Sequence, residues 1–284
     1  MFFINNARYL KPGQFIFSFE HFNTRKTAGA SALHDEGHHE LAQVKFASPL
    51  HTAEGVESQV QNNVFASLLY GAGNRLTLMA TVPYTFNRIS LAGERETTRG
   101  LGDPEIMALI RLGTLGGETL SLQAVGGMRA PLGQSDMKNE NGLRLEQHLQ
   151  TGTGAWSALF GVQASQAKGS LPLFFGVNFQ VNGTNVHQFQ YGNVLRYNFA
   201  AQKALASTVD GIAEINGRTA AFDKENGEID PNSGGTVVYF SPGLRWRTIA
   251  GLDLRMQVQI PVVEQLKGEQ DEEINFRSGV AWTL

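Results

Sequence analysis

Strict two-residue alternation is the feature that most restricts what this chain can become. In Leu252-Asp253-Leu254-Arg255-Met256-Gln257-Val258-Gln259-Ile260, every second side chain is large and apolar, and each one between is charged or an amide. Successive side chains of a strand point to opposite faces, so the stretch forms a ribbon with one greasy face and one polar face. The pattern recurs along the chain: Phe15, Phe17 and Phe19 against Ser18 and Glu20, then Leu76, Leu78, Val82, Tyr84 and Phe86, and later Phe240, Leu244 and Trp246. A chain 42% hydrophobic with a mean hydropathy of -0.19 contains no apolar run of the roughly 18 residues that a membrane helix needs. Alternating strands therefore remain, packed face to face in a soluble sandwich or closed into a barrel whose apolar face meets lipid.

The end of the chain favours the barrel. Arg277-Ser278-Gly279-Val280-Ala281-Trp282-Thr283-Leu284 puts Arg277, Gly279, Trp282 and Leu284 at the spacing of the insertion signal that closes bacterial outer-membrane barrels. Connections point the same way. Short turns are expected at 71–74, 114–117, 167–170, 200–204 and 248–251, and long polar loops at 88–101, 133–144, 182–188, 217–235 and 264–273. Such asymmetry belongs to outer-membrane barrels, whose periplasmic turns are tight and whose outer loops are long. Counting strands across the turns gives about twelve, an even number that places both termini at the periplasmic side. The expected fold is thus all-β, a transmembrane antiparallel β-barrel, forming a single domain over 1–284 with a long polar external loop at 27–55 and a short strand near 41–46. Pro83, Pro131, Pro242 and Pro261 fall in or beside strands, where each removes a ladder donor; rims or bulges at the loop side are the expected places for Pro83, Pro131 and Pro261. Met1-Phe2-Phe3-Ile4 is too short for an export signal, which is expected upstream of the numbered chain.

A net charge of -3 and a pI near 6.2 leave no basic footprint for nucleic acid. With no cysteine, disulfides, thiolate metal sites and a cysteine nucleophile are excluded. Gly100-Leu101-Gly102-Asp103-Pro104, Gln150-Thr151-Gly152-Thr153-Gly154-Ala155-Trp156, Tyr239-Phe240-Ser241-Pro242-Gly243-Leu244-Arg245 and Val258-Gln259-Ile260-Pro261-Val262, in that order and with the last strand, resemble the outer-membrane transporter family named after the MetA pathway of phenol degradation. The resemblance implies a barrel in the bacterial outer membrane that passes small solutes, often aromatic or otherwise hydrophobic. Leu284 stands where that family more commonly ends in an aromatic residue.

The polar face collects Glu20, Glu105, Arg111, Arg129, Arg196, Asp210, Glu214, Arg245, Arg255 and Arg277, together with Gln123, Asn178, Gln180, Gln257 and Gln259. An arginine facing lipid at mid-bilayer costs roughly 2–4 kcal/mol, so these side chains point into the lumen. Two outcomes stay open: opposite charges pair and fill a narrow barrel, or arginines line a wet channel that favours anions. His34, His38 and His39 with neighbouring carboxylates are the weak candidates for a metal site; a solvated loop is the bland alternative, and no cofactor is expected. His148 and His187 have no serine motif nearby, so catalysis is not expected. Expected partners are outer-membrane lipid and lipopolysaccharide, the barrel assembly machinery and a small-molecule solute. A structural or docking barrel that anchors an envelope partner protein is the alternative function.

Overall fold

The computed structural model describes residues 10–28, 58–91, 94–115, 120–166, 171–248, 251–268 and 270–284. Strands β1 (Phe15–Ala28), β2 (Ser58–Gly71), β3 (Leu76–Leu91), β4 (Glu94–Leu101), β5 (Glu105–Leu115), β6 (Leu120–Arg129), β7 (Ser157–Gln166) and β8 (Leu173–Asn182) are followed by β9 (Phe189–Gln190), β10 (Val194–Ala204), β11 (Val209–Ala220), β12 (Lys224–Glu225), β13 (Glu228–Ile229), β14 (Gly235–Arg247), β15 (Leu252–Leu266), β16 (Gln270–Glu272) and β17 (Asn275–Thr283). Fourteen strands share one sheet, and setting aside the short β4 and β16 leaves a closed antiparallel barrel of twelve. Closure is made by β1, which pairs with β2 on one side and with β17 on the other. A closed sheet leaves no free edge, so backbone groups are satisfied where water is absent. No described helix is long and apolar enough to cross a membrane.

Side-chain alternation sets the two faces. Phe19, Ile106, Leu112, Trp156, Phe160, Leu244, Trp246, Met256 and Trp282 all stand on the outside, each about half exposed or more. Between them, Gln123, Gln180, Asp210, Glu214, Arg245, Arg255, Gln257, Gln259 and Arg277 are buried on the inside. A soluble sandwich would hide the first set, and here it is the set that is exposed. The inner face is not uniformly polar, however. Met79, Met107, Leu109 and Val125 form a buried apolar cluster with Leu69 on strands β2 to β6, a sector that the sequence reading, which assigned only the lipid-facing residues of β3 and β5, did not single out.

Several expected loops are in fact strand. β3 continues to Leu91 and β4 returns from Glu94 in register with it, so 88–101 is a hairpin; 16 residues in β3 exceed the 9–11 that a bilayer requires, and its upper half stands clear of the apolar belt. Likewise β10 runs through 200–204, where a turn was expected, and the turn follows at 205–208. β11 extends to Ala220, within the expected loop at 217–235. Of the turn expected at 114–117, residues 114–115 belong to β5 and 116–117 lie outside the described residues, as do 167–170, 249–250 of the turn at 248–251, the 29–55 part of the expected external loop and the strand near 41–46.

Prolines follow the irregularities of the ladder. Pro83 lies in mid-strand rather than at a rim, but β3 passes there from β5 to β4, across the interruption at 102–104. Pro261 sits at the register shift beside Tyr239, and Pro131 just beyond the end of β6. Pro242 is, with Ser241, one of the two positions of β14 that have no partner in β15. Each proline thus falls where a ladder bond is already missing.

Candidate functional site

The inward-facing charges pair in the wall. Arg129 Nε donates to Glu105 Oε1 at 2.9 Å, across the register that sets these two residues opposite each other. Arg247 reaches Asp210 at 3.0 Å, and Gln202 donates to the other oxygen of that carboxylate at 2.7 Å. Glu214 accepts from Gln257 at 2.8 Å, and Arg196 donates to Gln180 at 2.8 Å. Arg245 pairs with Asp253, while the Arg277 guanidinium lies 4.7 Å from the centre of the Phe22 ring. Glu20 and Glu214 are the carboxylates whose charges act on Arg277. Arg111 and Arg255 occupy inward positions of β5 and β15. Gly279 is also inward, against Glu20 on β1, whereas Trp282 and Leu284 are exposed on the outer face. His34, His38 and His39 lie outside the described residues.

Over this wall runs the connection from β6 to β7, residues 130–156. Its middle is a single 3-10 turn, Gln147–Leu149, whose Leu149 packs with Leu145 and Met137 as a small core of its own. On one side the turn is held by β3 and β4: Thr98 Oγ1 donates to the Leu149 carbonyl at 2.7 Å, with the Asn87 amide at 3.4 Å. On the other it meets the β8–β10 connection, where Asn185 Nδ2 donates to Gln147 Oε1 at 2.9 Å and the Tyr191 hydroxyl donates to the Gln147 carbonyl at 3.0 Å. β3 and β10 are separated around the barrel by β5 to β8, so anchors on both sides stretch the connection over the lumen.

Asp103, in the interruption between β4 and β5, fixes the two ends of that connection. Its Oδ1 accepts from the Gly133 amide at 2.9 Å, and its Oδ2 from the Thr153 amide at 2.7 Å and the Thr153 hydroxyl at 2.6 Å. Incoming and outgoing chains cross in contact at Gly133 and Gly152. A Cβ on Gly152 would come within 2.5 Å of the Gly133 carbonyl carbon, so the crossing requires a residue without a side chain. Beneath it, a cavity of about 120 Å³ is lined by Phe65, Thr81, Pro83, Asp103, Glu105, Arg129, Thr151 and Thr153.

The far anchor is ionisable. His148 stacks edge-on against Phe189 and Tyr191, and its Nε2 lies 3.4 Å from Asp223 Oδ2. Burial holds this imidazole below its ordinary range against the pull of Asp223, and burial likewise pushes the Asp223 carboxyl up. Glu146, one residue earlier, is pushed up to about 8 by burial and by the negative charges of Asp230 and Glu225. A carboxyl raised on packing contributes stability that is complete below its free value near 4.3 and lost as pH rises through about 8; a depressed histidine contributes above about 6.5 and loses it in acid. We expect amide protection of residues 146–150, corrected for intrinsic rates, to fall between about pH 5 and pH 8 and to level off above. Glu146→Gln should flatten much of that fall, leaving the share of Asp223 and the acid limb of His148. An unchanged profile in the variant would remove Glu146 from the account.

Of the residues expected to line a pore, all ten lie on strands at inward positions, and the structure brings Glu105 and Arg129 together. Sequence reading missed Asp103, Gln147 and Asn185. The glycines around Asp103 and after Gln150 were the visible signal, since a backbone crossing needs them.

The family model described as "Putative MetA-pathway of phenol degradation" matches residues 51–268. Among solved structures, an outer membrane channel from Pseudomonas putida is similar at 14% identity, covering 99% of this chain and 100% of that one, with a TM-score of 0.74. The β-domain of the Bordetella autotransporter BrkA is similar at 11% identity, with 96% and 100% covered and a TM-score of 0.55. A deletion mutant of TodX, a monoaromatic hydrocarbon channel, gives 9% identity, 97% and 91% covered, and 0.51. No curated protein matches the sequence. These likenesses carry the fold, an outer-membrane type of barrel, and not the cargo.

Proposed function

The chain belongs to the family of the MetA pathway of phenol degradation, and from that premise we propose that it is an outer-membrane channel for passive passage of small solutes, aromatic and other hydrophobic compounds among them. The observation that carries the reading is the pairing of a lipid-compatible outer face with an inner face bridged by a tethered connection, beneath which a small cavity remains. A structural barrel has no use for such a constriction. TodX, similar in fold, is a channel for monoaromatic hydrocarbons, which supports the same class of solute here. In this reading both termini are periplasmic, the whole of 1–284 is one domain, and 27–55 is an external loop among lipopolysaccharide. The assembly machinery reads the last strand, and no residue has a catalytic role.

Conductance in planar bilayers tests the reading. Small single-channel steps are expected from the wild-type protein, because the inner face is packed: Arg245, Arg255 and Arg277 are only 6%, 7% and 5% exposed. The two inward arginines to change are Arg111 and Arg255. Arg111→Gln with Arg255→Gln should move the reversal potential in a salt gradient toward cation preference, since a lumen potential follows its fixed charges when low-dielectric walls focus the field. Buried ion pairs such as Glu105 with Arg129 are the observation that favours the alternative docking barrel. Absence of conductance steps in the wild type would make that alternative the better reading.

A further inference from the structure

We propose that Arg25, Arg88 and Arg99, on the outward face of strands β1, β3 and β4, form a binding site for the phosphate groups of the glycolipid in the outer leaflet. The proposal rests on the channel reading, which places the loop ends of the strands outside. Register brings the three together. Along the ladder Arg25 stands opposite Val60 on β2, Val60 opposite Arg88, and Arg88 opposite Thr97 on β4. The row beneath is Asn23, Asn62, Phe86 and Arg99. Arg99 is thus a diagonal neighbour of Arg88, about 7–8 Å from it between Cα atoms. Strand β2 alone separates Arg88 from Arg25, which puts their backbones about 10 Å apart.

What lies beneath fixes their height above the lipid. On the same outward face β1 presents Phe15, Phe17 and Phe19, and β3 presents Leu78, Val82 and Phe86, all exposed. Tyr84 stands beside Phe86 with ring centroids 4.9 Å apart, the kind of aromatic pair that marks the headgroup level of a barrel. In the same row as Phe86, His21 and Asn23 both reach the Asn62 side-chain oxygen, at 3.2 and 2.8 Å, so the polar zone has begun there. Arg99 lies in that row, and Arg88 and Arg25 one step above, where lipid phosphates sit. Charge then chooses the ligand. Arg88 and Arg99 are exposed and have no ion pair among the described residues, and Arg25 meets Glu273 at 4.0 Å with side chains 60% and 39% exposed, a pair that solvent weakens. Beyond Arg25 the sign reverses at the β16 edge, with Glu273 and the exposed Asp271, so the basic patch is confined to β1–β4. Neighbouring guanidiniums repel, and an anion among them removes that cost. Each planar guanidinium meets a phosphate by two parallel hydrogen bonds, and a glycolipid headgroup with two phosphates engages more than one of them. Solubility alone would not require arginines in one sector of the ring, set directly above an aromatic pair.

The test is native mass spectrometry of the purified full chain in non-ionic detergent, titrated with bis-phosphorylated lipid A, the same glycolipid stripped of phosphate, phosphatidylglycerol, and inorganic phosphate as competitor. Saturable retention of the bis-phosphorylated form is expected, and excess inorganic phosphate should not displace it. A basic side chain near an anionic surface is worth about fivefold in affinity, so Arg88→Gln with Arg99→Gln should weaken retention on the order of twentyfold. The double variant should also lose its ability to distinguish the phosphorylated from the stripped glycolipid, a coupling that misfolding would not produce. Lys203→Gln, an exposed cation at the opposite end of the barrel on β10, should leave retention unchanged. Equal retention of the stripped glycolipid or of phosphatidylglycerol by the wild type would overturn the site, and displacement by inorganic phosphate would reduce it to a simple anion site. Wild-type conductance, measured separately, reports on the channel itself: steps without phosphate-dependent retention sink the lipid site and spare the channel, and retention without steps does the reverse.

Discussion

Asp103→Ala should open the barrel mouth. The side chain is 6% exposed and accepts three bonds, from the Gly133 amide, the Thr153 amide and the Thr153 hydroxyl. Bonds to a charged acceptor are worth about 1.5–3 kcal/mol each, and bonds that share one carboxylate do not add fully. A combined loss of about 3–5 kcal/mol is the reasonable expectation, enlarged by two buried amides left without an acceptor. That is a large part of the roughly 5–15 kcal/mol that holds an ordinary domain folded. Here the loss falls on a connection whose remaining ties include hydrogen bonds through Gln147, Leu149 and Asn185 and the contact of His148 with Asp223, while the strands keep their ladder. The variant should therefore insert as a barrel, with single-channel conductance raised several-fold and with Lys138 and Arg144 newly open to trypsin. Asp103→Asn should fall between, because an amide keeps one acceptor and turns a donor toward Thr153. Wild-type conductance and protease resistance in Asp103→Ala would mean that the connection does not gate the lumen.

How far these features can be read from the chain depends on how local they are. Arg255 was legibly inward because Leu254 and Met256 flank it, and one strand of nine residues suffices to fix the phase of a two-residue period. Where β3 and β4 rise above the apolar belt the signal fades. Arg88, Thr97 and Arg99 are exposed on the outer face there, so both faces are polar and the stretch looks like a loop although its ladder is intact. The inner apolar sector was hidden for the opposite reason: Ile106-Met107-Ala108-Leu109-Ile110 is apolar on both faces, so alternation could put Ile106 and Ile110 toward lipid without showing that Met107 and Leu109 pack inward with Met79 and Val125. Least legible were the anchors of the connection. Thr98 and Asn87 reach Leu149 across 51 and 62 positions of sequence, and no periodicity reports a contact of that span. Asp103 lay in view among glycines, but Gly-X-Gly there reads equally as a turn, and only the geometry shows three donors converging on it.

Trp282→Asp combined with Leu284→Asp should abolish accumulation of the barrel in the outer membrane. β17 is the last strand to close the ring, with Trp282 opposite Phe17 on β1 and Leu252 on β15, and with Leu284 exchanging backbone bonds with Phe15 at 2.9 and 3.3 Å. Both side chains are outward, 49% and 54% exposed. Lipid-facing charge costs about 2–4 kcal/mol for arginine or lysine at the midplane, less for acidic residues, and falls to about 0–1 kcal/mol near the interface. These two positions lie at the strand end, so the folded barrel should lose only about 1–2 kcal/mol in all. Equilibrium stability cannot then explain a complete loss in cells, whereas a recognition step that reads Gly279, Trp282 and Leu284 can. The expected pair of results is a membrane level reduced at least tenfold together with nearly normal refolding from urea into detergent, seen as a band that migrates faster unheated than boiled. Val280→Arg, on the same outward face but within the strand, should show the reverse balance, with a larger cost in vitro for a residue outside that pattern. Normal membrane levels of the double variant would end the role of the terminal strand as a signal. Failure both in cells and in detergent would assign its aromatic residue to packing at the seam instead.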